Sequence, residues 1–310
     1  MPAAGEGKNG YRTGRHHGRA RPVGPVSERQ GRHLAFQFEA IRSVFEQTLG
    51  VRVVSGKPFI VMGFKNKKSM RAIMPEYWEK KGQIHPDGGL LPGPDKIYAF
   101  IRLDAGGGNP FGIVYHEYAH MVLNLHFRSM PLWMSEGLAE FYGFSTIGEQ
   151  EFRLGEPAAN CILALRQRKM LPLAELFRVT YDSPDYNEDA KAQIFYAESW
   201  ALTHYLMLAE RTEAGQPNRL SRFLSLLGQG VDQDEATRLV FDDPAKLQAD
   251  LEVYIGRSAF DFLSTKTDMS GSSEDFSARA LSPAEAAARL GDFQLQNGRR
   301  TASLFSIISL

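Results

Sequence analysis

The alternation of apolar and polar positions first predicts a long amphipathic helix. Residues 27–50, "SERQGRHLAFQFEAIRSVFEQTLG", carry apolar side chains three or four positions apart, at Leu34, Phe38, Ile41 and Phe45. This spacing keeps the apolar side chains on one face of an α-helix. The segment is therefore predicted to be a helix that packs on one side against a core.

The next sixty residues predict a small mixed layer of strands and helices. Two short apolar runs, "KPFIVMGF" at 57–64 and "KIYAFIRLD" at 96–104, have the length and composition of strands. Between them, "SMRAIMPEYWEKKG" at 69–82 suits a helix, and "HPDGGLLPGPD" at 85–95 is dense in residues that form turns. We therefore expect an N-terminal α/β subdomain over residues 27–110.

Beyond Pro110 the apolar spacing is helical almost throughout, which predicts an all-helical subdomain over 111–263. The predicted helices are 111–126, 132–143, 157–168, 171–179, 189–211, 217–228, 233–240 and 244–263. Residues 264–280 form a polar linker, and residues 281–310 a terminal helix. "SPAEAAARLGDFQLQNGRR" resembles the start of a tetratricopeptide repeat, so this helix is either a truncated repeat array or an ordinary terminal helix. The fold class is α+β.

Composition excludes several classes of partner and site. Lysine plus arginine and aspartate plus glutamate both number 36, so net charge favours neither nucleic acid nor an anionic membrane as a partner. There is no apolar run long enough for a transmembrane helix. The lone Cys161 excludes an intramolecular disulfide and any site of several cysteines. A metal site in this chain must use histidine and carboxylate side chains.

The first 26 residues, rich in glycine, arginine and proline, are predicted to be a disordered basic tail. They lack the apolar core of a secretory signal. A cytoplasmic location is the expectation from this, and a periplasmic or secreted one if the true start lies elsewhere.

The motif "HEYAH" at 116–120 indicates a metal-dependent hydrolase. His116 and His120 are four residues apart, so in a helix both imidazoles leave the same face one turn apart and can bind one zinc ion. Glu117 is rotated away from the metal but can reach a water bound there, as a general base and acid requires. A short motif of this kind also occurs by chance, so the surrounding residues must decide.

Two residues compete for the role of third metal ligand. His126 has the spacing of the elongated metzincin motif, but that motif needs a glycine turn where this chain has Leu123. Glu136 follows "FRSMP", which can end the first helix, and Pro131 suits the start of a second helix beside it. The sequence favours Glu136, and two histidines with one glutamate leave a fourth zinc position open for water.

Glu140 lies one helical turn after Glu136 and so shares its face. It could accept the free ring hydrogen of a ligating histidine. It could equally be a solvated glutamate on the outer face of the helix, and the sequence does not decide between these two interpretations.

"HEYAH" followed by "LPLWMSEGLAEFY" resembles the gluzincin zinc metallopeptidases, in particular the bacterial peptidase MA-like domains. The resemblance extends over about residues 27–263 through "MPEYWEKKG", "LPGPDKIYAFIRLD" and "FYAESWALTHYL". It implies a zincin-like fold with an edge strand above the HExxH helix, one zinc ion, and Glu136 as the third ligand. It also implies that "KIYAFIRLD" is the edge strand against which an extended peptide substrate pairs.

The resemblance also implies an oxyanion donor. Aminopeptidase-type gluzincins carry a tyrosine in a Y-E-K-G motif after the glutamate ligand, and "YAES" makes Tyr196 the matching residue here, although Ala197 and Glu198 depart from the motif. His204, on nearly the same helical face, is an alternative donor. Both residues could instead belong to an apolar core stripe. The amine-binding element G-x-M-E-N of those aminopeptidases does not occur, so an endopeptidase is favoured over an aminopeptidase.

These observations lead to one main hypothesis and two rivals. The main hypothesis is a zinc metallopeptidase acting on a peptide or protein substrate, with Glu117 and Tyr196 catalytic and His116, His120 and Glu136 holding the metal. The first rival is a catalytically idle zincin-like module that binds a protein partner through its repeat-like terminal helix. The second is a hydrolase of a non-peptide ester or amide.

Overall fold

A computed structural model describes residues 27–49, 56–75, 87–104, 109, 111–127, 130–149, 151–210, 218–266 and 272–307. The predicted basic tail 1–26 and residues 76–82 of the helix predicted over 69–82 lie outside these ranges. Within them the chain is an α+β protein, in which two small sheets accompany a larger number of helices. None of the described helices is both long enough and apolar enough to cross a lipid bilayer.

The described helices follow the predicted order along the chain, except that the short helix Pro184–Asn187 was not predicted. They are α1 (Glu28–Leu49), α2 (Lys67–Ile73), α3 (Gly112–His126), α4 (Leu132–Gly143), α5 (Ala159–Gln167), α6 (Leu173–Leu176), α7 (Pro184–Asn187), α8 (Asp189–His204), α9 (Arg219–Gly228), α10 (Gln233–Val240), α11 (Pro244–Ile255) and α12 (Pro283–Ile307). A π-helical turn (Tyr205–Ala209) continues α8, and a 3-10 turn (Ser273–Asp275) precedes α12. The helix predicted over 244–263 is shorter than expected and ends at Ile255.

The first sheet has the strand order β1-β3-β2, with β1 (Phe59–Phe64), β2 (Gly88–Pro92) and β3 (Ile97–Arg102). β1 pairs with β3 in parallel, and β2 pairs with β3 antiparallel. The prediction that "KIYAFIRLD" is an edge strand is therefore wrong, because β3 is the central strand and both of its edges are paired. The strand at the edge that contacts α3 is β2.

β2 was not predicted as a strand, because "GGLLP" contains the glycines and proline that mark turns. Both glycines are required by close packing. A Cβ on Gly88 would meet the carbonyl oxygen of Phe100 at 2.8 Å, and one on Gly89 would meet the Phe100 ring at 2.8 Å. In this strand the glycines allow the backbone to approach its neighbour closely, and they do not form a turn.

Helices cover both faces of the first sheet, which explains why β3 reads as an unbroken apolar run. Successive side chains of a strand point to opposite faces. Ile97, Ala99 and Ile101 join the main core, which also holds the apolar sides of α1 and α3. Tyr98 and Phe100 belong to a second, smaller core on the other face, together with side chains of α2 and α12.

α12 is attached to that second core by apolar and polar contacts. Phe293 is fully buried there, and its ring lies 5.3 Å from that of Tyr98. Asp292 accepts hydrogen bonds from Tyr98 and Lys96, and Gln296 donates to the carbonyl oxygen of Leu91. This part of the terminal helix is therefore packed against the same chain's first sheet.

The second sheet, with the order β4-β5-β6, interrupts the region predicted to be wholly helical. β4 (Thr146–Ile147), β5 (Glu151–Leu154) and β6 (Leu263–Lys266) are antiparallel. β6 also occupies the first residues of the predicted linker 264–280. Phe152 and Leu154 of β5 are buried in the main core, so this sheet packs against the same core as the helices.

The helical layer places α4 between α3 and α8. Gly137 makes the contact between α4 and α8 close, since a Cβ at this position would clash with the Thr203 hydroxyl and the Ser199 carbonyl oxygen. The glycine of "SEGLAE" therefore has a packing reason. The absence of a side chain at Gly137 lets α4 lie close to α8.

Candidate metal centre

α3 and α4 carry the residues of the candidate centre and pack directly against each other. Their ends agree with the predicted helices 111–126 and 132–143 to within one residue. α3 runs unbroken through Leu123, which is buried, and α4 begins directly after Pro131. The packing of the two helices brings Glu136 of α4 opposite His116 and His120 of α3.

Three side-chain atoms converge at this place. The Nε2 atoms of His116 and His120 lie 3.1 Å apart, and Oε2 of Glu136 lies 3.6 Å from the first and 3.3 Å from the second. Ligands about 2.0–2.1 Å from a tetrahedral zinc ion are separated from one another by about 3.3 Å. The three observed separations lie close to that value, so these residues fit a bound metal ion.

The remaining ring nitrogens are directed at other partners. Nδ1 of His120 lies 3.1 Å from the hydroxyl oxygen of Ser135, and Nδ1 of His116 lies 3.5 Å from Oε1 of Glu140. If each Nδ1–H points to its oxygen, both Nε2 atoms present lone pairs toward the Glu136 carboxylate. Three acceptors facing one another repel, and a cation between them removes the repulsion.

The burial of Glu136 is a second observation that indicates a bound cation. Its side chain is buried, and its Oε2 is a buried atom without a hydrogen-bond partner. A carboxylate oxygen without a partner is costly to bury, because the interior does not replace its lost hydration. A metal ion held by Oε2 and the two imidazoles would provide the missing interaction.

The pKa shifts at the centre follow burial and the Glu136 charge. Burial, aided by the neighbouring His120, lowers the pKa of His116 to about 4, although the charge of Glu136 acts in the opposite direction. Burial also acts to lower the pKa of His120, but the adjacent Glu136 carboxylate outweighs that effect and raises it. For Glu140, burial and then the charge of Glu136 raise the pKa to about 7. The two imidazoles therefore differ in how readily they hold a proton.

Glu117 is half-buried on α3, next to His116. Its charge contributes to raising the pKa of His120, so it is within electrostatic reach of the centre. It does not belong to the group of three converging ligand atoms. Glu117 is therefore a neighbour of the residues that can hold a metal and is not one of them.

Two tyrosines stand on the other side of Glu136. The hydroxyl of Tyr186 donates to Oε1 of Glu136 over 3.3 Å. The ring of Tyr196 lies 5.9 Å from the ring of Tyr186, and the pKa of Tyr196 is raised first by burial and then by the charge of Glu136. The sequence indicates Tyr196, but it indicates neither Tyr186 nor the contact of Ser135 with His120. Ser135 directly precedes Glu136 in the sequence. Tyr186 is 50 residues away, and no local sequence pattern indicates its contact with Glu136.

The two other candidate histidines lie outside the converging group. Nδ1 of His126 bonds the carbonyl oxygen of Val122 one turn earlier, as is common for a histidine at a helix end. His204 is fully buried and has a structural partner on each ring nitrogen: the hydroxyl of Tyr254 and the carbonyl oxygen of Gly155, both at 2.7 Å. Neither histidine is directed at Glu136.

A cavity of about 490 Å³ lies beside the centre. His116 and Glu140 form part of its wall, and Asn109, Thr146 and Glu156 line other parts. Its volume falls within the range of ordinary small-molecule and side-chain pockets. The His116 and Glu140 end of the centre is therefore open to a space that can hold a ligand.

Comparison with known proteins adds one finding. Residues 112–224 match the model of a family described as a protein of unknown function, DUF1570. The matched segment starts at the first residue of α3 and extends beyond α8, so it contains the converging ligands, Glu117, Glu140 and both tyrosines. Nothing among the curated proteins and nothing among the solved structures matches the chain.

Proposed function

We propose that this chain is a zinc-dependent hydrolase of the gluzincin type that cleaves peptide bonds within a chain. The observation that carries the proposal is the convergence of His116, His120 and Glu136 around a buried carboxylate oxygen that has no hydrogen-bond partner. Two imidazoles and one carboxylate are a common donor set of catalytic zinc sites. Such a set leaves a tetrahedral position for water, whereas a structural zinc site is usually closed by four protein ligands.

A zinc ion held there would act as a Lewis acid and would lower the pKa of water toward about 7. Glu117 is the proposed general base and acid. It takes a proton from the attacking water and later delivers that proton to the leaving amine. Its position next to His116 on α3 gives it access to the same small space without making it a metal ligand. A merely structural metal would not need a carboxylate at this position.

Tyr196 is the proposed donor to the developing oxyanion. Burial, aided by the nearby Glu136 charge, raises the pKa of its phenol, so the hydroxyl stays protonated throughout the neutral range. A hydroxyl directed at charge that develops only in the transition state stabilises that state in a dry site by several kcal/mol, roughly the effect of one oxyanion-hole donor. Tyr196 is half-buried and close to Glu136, which supports this role.

The decisive experiment combines metal analysis with one conservative substitution. We expect the purified protein to bind about one zinc ion per chain and to cleave casein or a peptide library. Glu117→Gln should retain the zinc and lower the cleavage rate by at least about 100-fold, since the amide cannot act as a base. Glu175→Gln, an exposed glutamate on α6, is the matched control and should leave both quantities unchanged.

Three outcomes would contradict the proposal. Wild-type protein that binds no zinc would remove the metal centre. Zinc-loaded protein that cleaves no peptide would favour a non-catalytic binding module, or a hydrolase of another ester or amide if such a substrate is turned over. Glu117→Gln with full activity would show that another group moves the proton.

A further inference from the structure

The two oxygens of the Glu136 carboxylate have different surroundings. Oε2 faces the two histidine Nε2 atoms, 3.3 Å and 3.6 Å away. Oε1 points to the opposite side, where the hydroxyl of Tyr186 donates to it. Among the described residues, Tyr186 is the only hydrogen-bond donor to Oε1. In the described structure, the orientation of this buried carboxylate is therefore set by the donor at Oε1.

The ring of Tyr186 is held firmly enough to define where its hydroxyl lies. It packs edge-on against Phe195 and Tyr181, with ring centroids 5.8 Å and 5.5 Å away, and it lies 5.9 Å from the ring of Tyr196. The segment that carries it is closed by hydrogen bonds of its own. The Asn187 side chain donates to the carbonyl oxygens of Tyr181 and Ser183.

We infer that Tyr186 is a positioning residue that fixes Glu136 as the third metal ligand. The inference rests on the proposed metal centre and deepens it. A carboxylate with one oxygen bound by a rigid donor presents the other oxygen in a single direction. Without the donor, Glu136 can rotate away from the histidines or turn both oxygens toward the metal, and its buried Oε1 loses its partner.

Partners of this kind orient metal ligands, and their loss typically weakens metal binding by about 10- to 100-fold. Tyr186→Phe removes only the hydroxyl and keeps the ring that packs against Phe195. We therefore expect the dissociation constant for zinc to rise by about 10- to 100-fold in this variant. Circular dichroism and thermal unfolding of the metal-free protein should show that the fold is retained.

Tyr181→Phe is the matched control. Tyr181 is a neighbouring phenol on the same segment and touches the Tyr186 ring, but its side chain is largely exposed, and among the described residues no hydrogen bond joins it to Glu136. Zinc affinity is measured by competition with a chromophoric chelator. The Tyr181→Phe variant should bind zinc within about twofold of the wild type, because it removes no partner of a metal ligand.

Two further measurements separate positioning from a general structural effect. The visible absorption of the protein loaded with Co²⁺ should change in intensity or position in Tyr186→Phe but not in Tyr181→Phe, because the spectrum reports ligand geometry. In a Glu136→Ala background, Tyr186→Phe should lower zinc affinity no further, since the residue acts only through Glu136.

The inference is overturned if Tyr186→Phe binds zinc as the wild type does, or if Tyr181→Phe weakens binding equally. It is also overturned if Tyr186→Phe lowers affinity as much in the Glu136→Ala background as in the wild type. These measurements need no substrate, so a protein whose zinc affinity depends on Glu136 and Tyr186 as expected, but which cleaves nothing, would refute the peptidase proposal alone. If Glu136→Ala leaves zinc affinity unchanged, both proposals fail.

Discussion

Two regions of this protein bury histidine, and they differ in what the ring nitrogens meet. Burial lowers the pKa of both His116 and His204 to about 4, so their protonation alone does not distinguish them. At His204, one nitrogen donates to the Gly155 carbonyl oxygen and the other therefore accepts from the Tyr254 hydroxyl. At His116, Nε2 faces another histidine and a carboxylate. A candidate ion site is recognised by buried ligand atoms, such as the Nε2 atom of His116, that face one another instead of hydrogen-bond donors.

The largest expected effect comes from removing a ligand of the candidate centre. His120→Ala should lower zinc affinity by more than about 100-fold, since even outer partners of metal ligands contribute about 10- to 100-fold. His126→Ala, on the same helix, should leave zinc affinity unchanged because its ring bonds the Val122 carbonyl oxygen. Isothermal titration or chelator competition measures both. A loss of zinc in His126→Ala with none in His120→Ala would reverse the ligand assignment.

The next expected effect is the pH dependence of the free energy of unfolding that His204 causes. The pKa of His204 falls from 6.5 in the unfolded chain to about 4 in the fold, mainly through burial. Its neutral form therefore contributes stability fully above pH 6.5, and this contribution is lost as the pH falls toward 4. The shift corresponds to about 3 kcal/mol in the free energy of unfolding.

Urea unfolding of metal-free protein between pH 7 and pH 4 measures this contribution. His204→Gln should be less stable than the wild type at pH 7, and the difference should shrink as the pH falls, because only the wild type must protonate a buried imidazole. Groups common to both proteins cancel in the comparison. An equal slope of stability against pH in both proteins would contradict the prediction.

The smallest expected effect on the free energy of unfolding comes from Gly137, the residue of α4 at its contact with α8. Gly137→Ala should lower the free energy of unfolding by about 1–3 kcal/mol, because the added methyl group clashes with Thr203 and Ser199. Gly291→Ala, in α12, has nothing within 4 Å of the added atom and should be stabilising by about 0.5–1 kcal/mol. Thermal or urea unfolding measures both. Opposite signs are expected, and equal effects would show that close packing at Gly137 is not the cause.

The helices of the candidate centre could be read from the sequence because their signals are local. The spacing of His116 and His120, the turn-forming Pro131 and the apolar period of α3 and α4 depend on residues within a few turns of one another. The structure confirms the bounds of both helices, and it brings Glu136 to the two histidines. The roles of Glu117 and Tyr196 stay predictions.

The features that the sequence did not reveal depend on distant partners. "GGLLP" forms a strand because the glycines fit against Phe100, and turn propensity cannot report that contact. The short strand β6 is held by pairing with β5, from which it is separated by more than a hundred residues of the chain. Tyr186 reaches Glu136 across 50 positions of the chain. Such contacts follow from tertiary packing, which local periodicity does not encode.

The docking of α12 on the first sheet has a consequence for folding kinetics. Tyr98 and its hydrogen-bond acceptor Asp292 are 194 positions apart along the chain. Contacts of such high sequence separation form late, because a long loop must close before they give any stability. The core that carries α3 and α4 can assemble from nearer segments. Until α12 arrives, the far face of β3 is covered by α2 but lacks Phe293, so this face is where a folding intermediate would be most open to association with other chains.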